Sequence, residues 1–121
     1  MKKIALLPAL LAAVALTPAS AMDLATYVRL GEGLKSKGPL APFSRDYKIL
    51  MAELQASSKA IKQERLAALA AGRKPAYCPT SGINLMEVFS AFQAVPPAQR
   101  ARLQVKDALR KFYVKKFPCP A

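Results

Sequence analysis

The stretch Ser44–Gly72, SRDYKILMAELQASSKAIKQERLAALAAG, sets the fold class. Tyr47, Leu50, Met51, Leu54, Ser58, Ile61 and Ala68 recur at three- and four-residue steps, the spacing that gathers side chains on one face of an α-helix. Lys48, Lys59, Lys62 and Arg65 fall on other sides, where charge stays in water. Ser44 is suited to accept a free amide of the first turn, and Gly72 followed by Pro75 marks the stop. The later part, ERLAALAAG, favours helix by propensity alone.

Upstream, GPLAPF (38–43) turns the chain, because Pro39 and Pro42 exclude a continuous helix. Before it, Asp23 caps a helix over LATYVRLGEGLKSK (24–37), with Leu24, Tyr27, Val28, Leu30 and Leu34 near one side. Gly31 and Gly33 each weaken that helix by about 1 kcal/mol relative to alanine, which points to a break or to close approach by another part of the chain.

Downstream, KPAYCPTSG (74–82) is a loop punctuated by Pro75, Pro79 and Gly82. Asn84 followed by Glu87 resembles a capping box and opens a helix LMEVFSAFQAV (85–95). Its apolar residues Leu85, Met86, Val88, Phe89 and Phe92 nearly encircle it, which predicts substantial burial. Pro96-Pro97 ends it. The last helix is predicted over Gln99–Lys116 with an irregular first turn and an apolar stripe of Ala101, Val105, Ala108, Leu109 and Phe112. No stretch alternates with period two. The expectation is an all-α fold, a small bundle of about four helices.

Residues 1–21 read as a secretory signal peptide: MKK is its basic start, Ile4–Leu16 its short apolar run, and Ala19-Ser20-Ala21 its small-x-small cleavage site before Met22. Thirteen apolar residues interrupted by Pro8 fall short of the roughly 20 needed to span a bilayer. This predicts a periplasmic protein whose single helical domain is 22–121. Without Lys2 and Lys3 that domain holds 17 basic and 7 acidic residues, a net charge of +10. Such an excess favours acidic partners, and export argues against nucleic acid. An anionic envelope surface or an acidic protein face remains.

Cys78 and Cys119 are the only cysteines, and an oxidising compartment leaves them one intramolecular pairing. The terminal FPCPA (117–121) is thereby tied to the loop before the third helix, closing the C-terminal helical hairpin. No Cys-x-x-Cys and no histidine is present to activate a thiol, so redox work is disfavoured.

The lack of histidine also removes the commonest general base and metal ligand. Asp23, Glu32, Asp46, Glu53, Glu64, Glu87 and Asp107 are scattered singly, with no pattern that pairs two carboxylates across a substrate. The expectation is a non-enzymatic protein with no cofactor and no metal. Two groups are candidates for partner binding. Tyr77, Thr80, Ser81 and Asn84 surround the disulfide loop, where a pinned backbone loses little entropy on binding, although turn chemistry and packing of Tyr77 on the disulfide account for them equally. Arg102, Lys106 and Arg110 form an i, i+4 row suited to an acidic partner or anionic membrane, against the commoner reading of a solvated face. Lys111 and Lys115 make a second row.

PAYCPTSGINLMEVFSAF (75–92), a proline break, and VKDALRKFYVKKFPCP (105–120) together resemble the C-terminal signature of the Rap/Tai family of periplasmic immunity proteins. The matching positions are Cys78, Gly82, Leu85, Pro96, Ala108, Leu109, Phe117, Pro118 and Cys119, spread over less than half of the domain. The preceding helix departs from the family, having RDYKILMAEL (45–54) where members carry a pattern of small residues. The resemblance implies a small helical protein that sterically blocks a cell-wall amidase toxin delivered by type VI secretion. The alternative is a basic envelope-associated protein that binds anionic lipid, lipopolysaccharide or acidic glycan. Either leaves a homodimer open.

Overall fold

α1 (Leu24–Lys35), a 3-10 turn (Gly38–Phe43), α2 (Arg45–Ala70), α3 (Leu85–Ala94), α4 (Pro97–Arg100) and α5 (Val105–Lys116) follow in chain order. The computed structural model describes residues 22–121, so the predicted leader over 1–21 lies outside the described residues. Four of these elements are principal helices, and the all-α bundle is the one expected. Among the described residues no strand forms beyond an isolated antiparallel bridge between Asp23 and Gln104.

The helix starts lie where short polar side chains can satisfy orphan amides. Asp23 accepts the Thr26 N–H at 2.7 Å, Ser44 that of Tyr47 at 3.2 Å, and Asn84 that of Met86 at 2.8 Å. Asp107 accepts the Gln104 N–H at 3.3 Å and so opens α5. α2 ends on Gly72, whose φ of +70° lets the Arg73 N–H reach back to the Ala68 carbonyl at 2.8 Å. Pro42 is accommodated within the 3-10 turn rather than in a longer helix.

α2, about 39 Å long at 1.5 Å per residue, is the axle of the bundle. It packs chiefly against α5 and α1. Its core seam is Leu50, Leu54, Ser57 and Ile61, with Glu53 beside it. Ser58, expected on the core face, is only half-buried, and Ser57 takes its place. The reason is that α2 carries two parallel stripes at four-three spacing. α1 and α5 cover the one through Leu50 and Ser57, while Tyr47 and Met51 on the other border a groove.

Leu24 and Val28 of α1, Val88 and Phe92 of α3, and Val105 and Leu109 of α5 complete the core. Tyr27 meets Phe92 edge-on at 5.5 Å between ring centroids. Gly31 does not break α1. It lies where the Phe89 ring presses against the helix backbone, the close approach that its lack of a side chain permits.

The expected last helix over Gln99–Lys116 is divided in two. The chain leaves α4 after Arg100 and runs extended at Gln104, because Leu103 and Val105 are engaged by the N-terminal segment. The Leu24 N–H donates to the Leu103 carbonyl at 2.8 Å, and the Val105 N–H to the Met22 carbonyl at 3.0 Å. Ala101, placed on the apolar stripe from sequence, is consequently exposed. The Arg100 guanidinium turns back onto α3, donating to the Val95 and Gln93 carbonyls at 2.8 and 2.7 Å. Those carbonyls would otherwise lack partners at the helix end.

Cys78 and Cys119 form the predicted disulfide, with Cα atoms 4.9 Å apart. The Cys78 N–H also donates to the Phe117 carbonyl at 2.8 Å, and Phe117 is buried. The C-terminus is thus held by a covalent bond, a hydrogen bond and a core side chain.

Candidate functional site: an apolar groove beside the third helix

The substantial burial predicted for α3 holds for only part of it. Val88 and Phe92 are buried, but Leu85 is 46% and Met86 64% exposed. These side chains edge an open groove of about 360 Å³ between α1, the 3-10 turn, α2 and α3. Its floor is the core itself: Tyr27, Leu50, Leu54 and Val88. Leu34 and Lys35 of α1, Tyr47 and Met51 of α2, and Phe89 of α3 line its sides, and Gly38 and Ala41 of the 3-10 turn border it. Leu40 and Phe43, on the same 3-10 turn, are 70% and 82% exposed.

The lining is overwhelmingly apolar, with few polar groups. Lys35 brings a cation, its ammonium 5.1 Å from the Phe89 ring centroid, and no carboxylate among the described residues pairs with it. Tyr27 and Tyr47 each bring a phenol. Burial, with the nearby Glu53 charge adding to it, pushes the Tyr27 hydroxyl up to about 12, so it stays neutral. A concave apolar surface with a few polar groups is the usual form of a binding site.

The residues singled out from sequence lie elsewhere and do not converge. Tyr77 belongs to the core, stacked on Tyr113 at 5.0 Å, with its hydroxyl's pKa raised first by burial and then by Tyr113. Its carbonyl accepts from Arg65 Nε at 3.3 Å. Thr80 and Ser81 are exposed, while Asn84 is occupied as the cap of α3. Arg102 precedes α5 in the exposed turn rather than lying on it, so the row of Arg102, Lys106 and Arg110 is not a continuous helical stripe.

Arg110 is held by Glu64 through two hydrogen bonds of 2.9 and 2.7 Å and by Asp107 at 3.1 Å. The Glu64 bonds raise the affinity of Arg110 for its proton, and Arg110 in turn lowers the Glu64 carboxyl. A guanidinium so engaged is a brace between α2 and α5. The disulfide loop and Arg102 flank opposite ends of α5, about 18 Å of helix apart.

A second, more polar recess of about 360 Å³ lies between α3 and α5, over Phe92, Val95, Leu103 and Phe112, with Lys111 and Lys115 among its lining. Among the described residues no cluster of three or more histidine, cysteine or carboxylate side chains is arranged to hold a metal. No described helix is long and apolar enough to cross a membrane.

The groove was missed because its lining residues come from four separate elements. One signal was available in α3, where a short helix with apolar residues on nearly every side needs cover all round, and only α1 and α5 pack against it. Leu40 and Phe43, two large apolar residues in a short proline-rich turn, pointed the same way.

No protein-family model matches the chain, and no curated protein or solved structure matches it. What the fold and the site define is a class: a disulfide-stapled, all-α domain with an open apolar groove.

Proposed function

We propose that this is an exported, non-enzymatic binding protein of the immunity type, which inhibits a secreted peptidoglycan amidase toxin by occupying its surface. The observation that carries the reading is the groove beside α3, an apolar recess flanked by the exposed Leu85 and Met86 and set in a scaffold whose ends are tied down. Rigid surfaces of that kind bind without much ordering cost. The partner suited to it presents an apolar projection flanked by carboxylates, since Lys35 lines the groove and the domain has a net charge of +10. The Cys-Pro loop and terminal Phe-Pro-Cys that resemble the Rap/Tai family support the same class of partner.

The test is peptidoglycan cleavage by type VI amidases, beginning with any toxin encoded beside this gene. Stoichiometric protein is expected to abolish cleavage, and Met86→Glu to restore it. Full amidase activity in the presence of a large excess of protein removes the reading.

A second reading rests on a separate observation. Among the described residues, ion pairs engage only Lys37, Arg110 and Lys116 of the basic side chains, leaving most of the cationic surface free. An envelope-associated protein would use it to bind anionic vesicles with an affinity that falls steeply with salt. Salt-insensitive or absent binding excludes this alternative.

A further inference from the structure

The backbone nitrogen of Met22 stands 3.4 Å from Oε1 of Glu53 and donates to it. Glu53 is the carboxylate on the buried seam of α2, only 5% exposed, and no basic side chain among the described residues pairs with it. Burial raises its carboxyl above the ordinary range, and the Met22 N–H offsets this only in part. The Ser57 hydroxyl, buried one turn on, makes no hydrogen bond of ordinary geometry, though its nearness to the carboxylate also offsets part of the rise. A buried carboxylate left with one long hydrogen bond from a neutral amide is poorly compensated.

The position of the nitrogen is fixed by the residues that follow it. The Met22 carbonyl accepts the Val105 N–H at 3.0 Å, the Leu24 N–H reaches the Leu103 carbonyl at 2.8 Å, and Asp23 caps α1. Chain ends usually fray. Here the backbone is clamped at the residue that the small-x-small pattern makes the first of the processed chain.

We infer that Glu53 is the acceptor for the α-ammonium released when the leader is cut between Ala21 and Met22, so that export processing completes the core with an ion pair the uncut chain lacks. In that hydrolysis water's hydroxyl goes to the Ala21 carbonyl carbon and its hydrogen to the Met22 nitrogen, which then takes a proton from solvent. The amide donor becomes a cation at the same place, and its hydrogen bond to the carboxylate becomes charge-assisted. Folding stability is thereby coupled to processing: the uncut chain holds a poorly compensated carboxylate, and the cut chain a paired one. The groups facing the pair do not compete with it. Tyr27 on α1 is neutral through the physiological range, Ser57 does not titrate, and α5 presents the Val105 backbone.

This inference rests on the reading of residues 1–21 as a cleaved leader. The test uses the full chain, exported and purified in processed form. Thermal midpoints are compared between the parent and a variant with Gly-Ser inserted between Ala21 and Met22, each with and without Glu53→Gln. At about pH 7 the parent is expected to melt about 5 °C above the insertion variant. The gap closes as the pH rises past the amine's raised pKa, whose ordinary value is about 7.7–8.0, and it is absent in the Glu53→Gln background. No gap, or one that survives Glu53→Gln, overturns the inference.

Should Glu53→Gln not fold, titration of the Met22 amine by NMR decides: a pKa above the ordinary range supports the pair, and one at or below it overturns it. The mass of the exported chain separates the two ways of failing. A cut elsewhere removes the leader reading, while a chain released at Met22 by another protease still reports on the pair.

Discussion

Phe89 rests its ring edge on the backbone of Gly31 so closely that a methyl group there would sit inside the ring's van der Waals envelope. Two residues on, Gly33 has open space where its side chain would be. The two glycines of one helix therefore respond to alanine in opposite directions. Gly33→Ala is expected to stabilise by up to about 1 kcal/mol, the helix-propensity gain. Gly31→Ala earns the same gain but forces Phe89 outward, with an overpacking penalty of roughly 1–3 kcal/mol and a net loss of about 1 kcal/mol. Urea unfolding of both variants measures this, and Phe89→Leu is expected to relieve the Gly31→Ala defect.

The disulfide joins positions 41 residues apart. Closing a loop of that length removes roughly 4 kcal/mol of chain entropy from the unfolded state. That is a large part of the ~5–15 kcal/mol that holds a typical domain folded. Cys119→Ser, or reduction, is expected to lower the thermal midpoint by about 15–30 °C at 4–8 °C per kcal/mol. Calorimetry with and without reductant measures it.

Much of this fold is legible locally because caps and stops act over a few residues. Asp23, Ser44, Asn84 and Gly72 do what their side chains, or the lack of one, dictate. What is not legible depends on residues far apart in the chain. The break before α5 requires the Met22–Leu24 segment to lie alongside Leu103–Val105, and nothing near Ala101 announces that. Choosing between the Ser57 and Ser58 stripes of α2 likewise needs the positions of α1 and α5. The groove follows from the same limitation: periodicity marks Met86 and Leu85 as apolar but cannot say that no helix covers them. Charge rows fail for a related reason, since Arg110 looks free until Glu64, 46 residues away, folds onto it.

That ion pair sets an acid limit. Arg110 holds the Glu64 carboxyl below its ordinary value, so the stabilisation is present above about pH 4.5 and is lost as pH falls through the lowered folded value. Both side chains are partly exposed, which confines the contribution to about 0.2–1 kcal/mol. Glu64→Gln should therefore be less stable than the parent at neutral pH, with the difference disappearing once the pH lies below the lowered folded value. Burial of Glu53 acts in the opposite sense while the Met22 nitrogen is an amide: its raised carboxyl favours the folded form at low pH, and that contribution is lost as pH rises through the raised value. Comparing urea midpoints of parent and Glu64→Gln at each pH isolates the Glu64 term.

Groove and cationic turn can be told apart by substitutions that leave the core intact. Met86 is 64% exposed and Arg102 lies in the turn before α5, so Met86→Glu and Arg102→Ala are each expected to change stability by no more than about 0.5 kcal/mol. In the groove, however, the new carboxylate has to be desolvated by any apolar projection that enters, and it meets the acidic flank expected of the partner. A penalty of several kcal/mol, or at least a hundredfold loss of affinity, follows. Arg102→Ala, outside the groove, is expected to cost less than tenfold. Calorimetric titration of each variant with the proposed amidase partner reads the difference. If Arg102→Ala carries the larger loss while Met86→Glu binds as the parent does, the contact lies on the cationic turn, and the groove is not the docking face.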